Sequence, residues 1–303
     1  MSHFTVLVVT EGSNEESVIS EALQPYHEYE CTGVKDQYVR KIDVTDEINA
    51  YFAREVFAGY ISNEYEYEYS EAAAHEKGLT NIEKTTLKAF IEKKSAITGE
   101  DETAGCARDY NGCDLAEDGR FYRETNPDAK WDWWRIGGRW GDLLLHKNGE
   151  YCNSLQKKDL DIEVIRKRAC SSAISEYGAA KEALDGRTFK SWAEIRDIDF
   201  PGDIDAARAA YNTQPGVAAL RIALGPFYDV DKCLATEEEF VNDAKNNALS
   251  TFAVLYNGEW IESGTMGWWA CVSDKKQNWP EIFNGILDKI PDDAYLTVVD
   301  CHI

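Results

Sequence analysis

Asp300-Cys301-His302 joins a carboxylate, a thiol and an imidazole in three consecutive residues. These are side-chain types that nucleophilic catalysis uses. In an extended chain, period two turns Asp300 and His302 to one side and Cys301 to the other. Strand neighbours therefore cannot form the thiol–imidazole pair that activates a nucleophile. A histidine from elsewhere would have to reach the thiol, such as His3, or His27 with Cys31 nearby. No catalytic residue is assigned on this basis, and a non-enzymatic role is the expectation.

A second group is aromatic and basic. Trp131, Trp133, Trp134 and Trp140 are interleaved with Arg135 and Arg139. Such a set packs a core across strands or forms a recognition surface rich in hot-spot residue types. A third use is a cation–π pocket for a small ligand such as a nucleotide signal. A third group is the comb in which Glu64, Glu66 and Glu68 alternate with Tyr65, Tyr67 and Tyr69. As a strand it puts the tyrosines on one face and the glutamates on the other. It is the local candidate for contact with a basic partner, or an edge strand kept from aggregating by its charge. A helical reading of the comb also stands.

No metal and no cofactor is expected. His3, His27, His75, His146 and His302 show neither H-x-x-x-H nor H-E-x-x-H spacing, and the eight cysteines form no C-x-x-C pair. Gly137-Gly138-Arg139-Trp140-Gly141 matches no phosphate-loop pattern, and no helix start follows it to supply oriented N–H groups.

The 303 residues carry 55 acids against 32 Lys and Arg, a formal net charge of −23. That excludes non-specific binding to nucleic acid or anionic membrane, because both need a basic surface. It leaves solubility, or complementarity to a basic protein, as the meaning of the charge. Hydrophobic residues at 44% and aromatics at 12% are too many for a disordered acidic chain. No apolar run approaches the roughly 18 residues of a spanning helix, and the start shows no signal-peptide pattern. A reduced, cytoplasmic protein is the expectation.

These groups need elements to hold them. Phe4–Val9 and Tyr295–Ile303 read as apolar strands. Ser13 and Glu16 match a capping box before a helix over 14–23, and Tyr26–Thr32 reads as extended. Val44–Ala58 has helix spacing with Thr45 as N-cap, and Ile82–Ile97 is a second helix. Gly99–Asp118 reads as an acidic loop. Gly137-Gly138 between two aromatic runs predicts a hairpin, with a further one at Trp268-Trp269. Residues 155–210 are helical in pattern, Val217–Ala223 reads as a strand and Glu237–Leu249 as a helix. Thr251–Tyr256 and Glu259–Glu262 form a hairpin through Asn257-Gly258, and Trp279–Ile290 is a helix with Pro280 in its first turn.

The pattern predicts an α+β fold. An antiparallel or mixed sheet is built from both chain ends and the Trp-rich hairpin, with helices on one face and a helix-rich inserted lobe. The core is expected from 1–60, 119–152 and 250–303, with an acidic insertion over 61–118 and the helical lobe over 153–249.

The opening MSHFTVLV, the segment ALQPYHEYECTG, the block NPDAKWDWWRIGGRW and the ending MGWW…LTVVDCHI resemble a family of phage and prophage proteins. The most specific likeness is to the Gabija anti-defence protein of phages. That resemblance implies a binding inhibitor in the host cytoplasm, assembled around a bacterial defence complex whose basic surface binds DNA, and obstructing DNA access. It implies no catalytic residue and no contact residue. Segments 61–120 and 153–249 lie outside the similar blocks.

Overall fold

The computed structural model describes residues 2–52, 112–267 and 271–303. In chain order the elements are β1 (His3–Thr10), α1 (Glu16–Leu23), α2 (Tyr29–Thr32), β2 (Arg40–Asp43), α3 (Thr45–Phe52), β3 (Asp114–Leu115), β4 (Phe121–Thr125) and β5 (Trp133–Ile136). Then come β6 (Leu144–Leu145), β7 (Tyr151–Cys152), β8 (Ser154–Gln156), α4 (Ile162–Leu184), α5 (Trp192–Glu194), α6 (Ile204–Thr213), α7 (Pro215–Leu224) and α8 (Glu237–Asn246). The chain closes with β9 (Ala253–Tyr256), β10 (Glu259–Glu262), β11 (Thr265–Met266), β12 (Val272–Ser273), α9 (Trp279–Lys289) and β13 (Tyr295–His302). The glutamate–tyrosine comb, the expected helix over Ile82–Ile97 and the Trp268-Trp269 pair lie outside the described residues.

The fold is α+β, and the chain divides into two compact units, 1–24 with 133–303, and 25–132. The first unit is built on a mixed sheet of order β10-β9-β1-β13-β5, with β8 also pairing β13. β1 and β13 run antiparallel over eight residues, from His3 opposite His302 to Thr10 opposite Tyr295. β9 joins β1 in parallel, which makes the sheet mixed. β5 takes the C-terminal half of β13 and β8 its N-terminal half. β13 is thus central, and its buried run Leu296–Cys301 is apolar or β-branched except for Asp300, as a strand covered on both faces requires.

One sheet face holds Leu7, Val254, Leu296 and Val298 against Trp279, Phe283 and Leu287 of α9. The three α9 residues sit at helical spacing, so one stripe is apolar while Pro280 starts the helix. Burying a side chain the size of Phe283 contributes about 1.5–3 kcal/mol. The other face of β1 is also buried, at Phe4, Val6 and Val8. The helices after β8 form their own apolar cluster around Ala180, Leu184, Tyr211, Val217 and Leu220, and Tyr177 meets Phe240 at 5.5 Å between α4 and α8.

The second unit has a small sheet of order β2-β4-β3. Its buried His27 is fixed by Nε2 near the Val34 carbonyl at 3.0 Å. Asn126 Nδ2 donates to the Pro25 and His27 carbonyls at 2.9 and 2.8 Å.

Several local expectations change. Ser13 forms no capping box: its Oγ accepts from Glu15 N–H, and α1 starts at Glu16. Tyr26–Thr32 is not extended, because Thr32 Oγ1 donates to the Glu28 carbonyl and Gly33 closes a helical turn at φ 66. Thr45 is not the N-cap of α3. Its hydroxyl accepts from Phe121 N–H, while Asp43 accepts from Thr45 N–H. Val217–Ala223 is helical within α7: Pro215 occupies the first turn, and Val217 and Leu220 bury at a spacing of three. Gly137-Gly138 does not make a hairpin. Both glycines take positive φ, but β5 pairs β13 and the chain leaves through a 3-10 turn at Gly138–Trp140. Asn257-Gly258 does form the expected hairpin, with φ of 53 and 73.

Candidate functional site

Register alone assembles a polar cluster at one end of the sheet. Direct opposition puts His3 across from His302, Arg135 across from Asp300, and Trp133 across from His302. Residues directly opposite share a face, so His3, Asp300, His302, Trp133 and Arg135 all point the same way. They continue the α9-facing row of Leu7 and Val298 two residues further along.

Asp300 is 2% exposed. A buried carboxylate needs donors, and it has two. His3 Nδ1 lies 2.8 Å from Oδ1, and Arg139 N–H donates to Oδ2 at 3.0 Å. A carboxylate only accepts, so the proton on that contact belongs to His3 Nδ1, and Nε2 is the ring nitrogen turned away from Asp300. The His302 ring stands 5.0 Å from the His3 ring at 68°, and Trp133 meets His3 edge-on at 6.0 Å. Trp133 remains 47% exposed, and Arg135 and Arg139 are exposed.

The glycines explain how the loop reaches the carboxylate. A Cβ on Gly138 would lie 2.4 Å from Asp300, and one on Gly137 would lie 2.5 Å from Asn153. The glycine pair therefore serves close approach of backbone to Asp300. The Arg139 N–H is already committed to that carboxylate, so the loop is no phosphate cradle.

The tryptophans do not form one surface. Trp131 is 6% exposed and belongs to the second unit, where it bridges to His27. Trp140 packs against the main core and Trp134 is half-buried. Trp133 alone of the four is exposed. Cys301 is fully buried on the face opposite His3 and His302, which removes the thiol–imidazole pairing. Tyr65, Tyr67, Tyr69, Glu64, Glu66 and Glu68 lie outside the described residues.

In the second unit, the ligand atoms of Glu28, Cys31 and Asp132 lie within 4.8 Å of one another, at a spacing that a metal ion could bridge. Partial burial, then the Glu28 carboxylate, pushes the Cys31 thiol up to about 11. No sequence pattern marks this trio, because Asp132 lies about a hundred residues from Cys31.

The helical segment exposes apolar side chains that sequence reading did not find. Ile222, on the last turn of α7, is 87% exposed, and Phe227, in the loop that follows, is 99% exposed. The expected strand over Val217–Ala223 had hidden Ile222 among alternating residues.

Compared with known proteins, the chain matches no family model, no curated protein and no solved structure. No helix of the described residues is long and apolar enough to cross a membrane.

Proposed function

We propose that the protein is a non-enzymatic binding protein that docks on a basic protein surface. In its specific form, it is a phage-encoded inhibitor of a bacterial defence complex of the Gabija type that obstructs DNA access. The observation that carries the reading is the wholly exposed Phe227 beside the exposed end of α7, on a chain of net charge −23. Exposed aromatic and aliphatic anchors supply binding energy on burial. The acidic field steers the chain to a cationic surface and competes with DNA for it.

The test is co-purification with candidate defence nuclease–helicase complexes, followed by their DNA binding. The wild-type chain should be retained and should displace DNA. Phe227→Asp with Ile222→Asp should weaken retention at least about tenfold, or about 1.4 kcal/mol, with an unchanged circular dichroism spectrum. If no complex is retained and no plating defect is rescued, the reading fails.

A further inference from the structure

We propose that the sheet end formed by His3, His302, Trp133 and Arg135 is a binding site for a small nucleotide, an aromatic base that carries a phosphate. The site is distinct from the exposed end of α7 and does not depend on partner docking.

Three observations converge. First, His3 is oriented. Its Nδ1 is tied to Asp300 at 2.8 Å, and that carboxylate is held from behind by Arg139 N–H. An imidazole fixed through one nitrogen offers the other in a set direction. Second, the Trp133 ring is half open to solvent while its edge contact with His3 at 6.0 Å holds it in place. An exposed, pre-positioned indole is a stacking platform for a base. Third, the nearby guanidiniums are available. Among the described residues Arg120, Arg123, Arg166, Arg187, Arg196 and Arg208 each pair a carboxylate. Among the described residues neither the Arg135 nor the Arg139 guanidinium pairs a carboxylate, as is also true of Arg40, Arg168 and Arg221, of which Arg168 and Arg221 bond Tyr151 and Asn212 instead. Asp300 is saturated by His3 and by backbone, so it does not neutralise them.

A phosphate suits this combination, since guanidinium donates to its oxygens, and His3 donates too when Nε2 carries a proton as well as Nδ1. The base occupies the indole face. A long polyanion is disfavoured, because beyond this local basic spot it would meet a strongly acidic molecule.

The experiment is calorimetric titration of the full chain with AMP, adenosine and inorganic phosphate. AMP should bind saturably, and adenosine and phosphate each at least about tenfold more weakly. Trp133→Ala and Arg135→Ala should each lower AMP affinity at least about tenfold, while Trp133→Phe keeps most of it. Both residues are exposed, so the variants should fold, which circular dichroism checks. In proton NMR the ring resonances of His3 and His302 should move on AMP addition, and that of His27 should not. Absence of saturable AMP binding overturns the proposal. So does adenosine binding as tightly as AMP, or affinity unchanged in both alanine variants. A wild-type chain that binds no AMP yet is retained by its partner would sink this site and leave the docking reading standing.

Discussion

At the scale of single residues, the chemistry is set by which groups are already partnered. Asp300 is buried and doubly satisfied, so its role is to orient His3. Removing it by Asp300→Ala leaves His3 Nδ1 and Arg139 N–H without their acceptor. The expected cost is about 1–3 kcal/mol, read as a lower urea midpoint. Cys31 makes a second test. Its thiol is exposed yet pushed up to about 11 by partial burial and by Glu28. Near pH 8 the thiolate fraction is then far below that of an ordinary cysteine, and the higher nucleophilicity of the remaining thiolate offsets part of the loss. Alkylation of Cys31 by iodoacetamide should be roughly tenfold slower than that of a model thiol. It should accelerate as pH rises towards 11. Peptide mapping by mass spectrometry reads both. Fast labelling at pH 8 would show that Glu28 does not suppress the thiolate.

At the scale of elements, the glycine pair after β5 shows what a local pattern leaves open. Positive φ at Gly137 and Gly138 was legible in the sequence, and it holds. Hairpin pairing was not, because β13 offers a longer partner strand to β5 than the segment beyond the turn does. Gly138→Ala strains a backbone at φ 55 and drives a Cβ to 2.4 Å from Asp300. It should destabilise by about 1–3 kcal/mol or more and should also disturb the His3 ring resonance. Gly258, at φ 73 with nothing near its missing Cβ, should show backbone strain alone on the same change. α9 provides the packing test. Phe283 is 1% exposed between the helix and the sheet, and Phe283→Ala should cost about 3–5 kcal/mol in denaturant unfolding. The capping signals at Ser13 and Thr45 failed for a common reason. Each hydroxyl found a different backbone donor, at Glu15 and Phe121, and local patterns do not register such competitors. At the start of α8 the Thr236 hydroxyl accepts from Glu239 N–H and a capping box forms.

At the scale of the molecule, net charge governs behaviour in solution. A charge of −23 repels itself, and salt screens that repulsion over about 8 Å at physiological ionic strength. Raising salt at neutral pH should therefore increase thermal stability of the isolated protein, measured by differential scanning calorimetry. The same salt should slow association with a basic partner. A melting temperature that falls with salt would mean that the surface ion pairs outweigh the self-repulsion.

The sequence by itself determined the α+β class, both terminal strands, the Asn257-Gly258 hairpin, α9, and the separation of Cys301 from Asp300 and His302. These follow from period, turn chemistry and side-chain alternation, which are local. Only the tertiary structure decided that β1 and β13 pair end to end, that His3 therefore meets Asp300 across nearly three hundred residues, and that Trp133 stays open while Trp131 is buried and Trp140 half-buried. Strand register and burial are properties of pairs of distant segments, fixed by which apolar faces cover each other, and no single segment carries them.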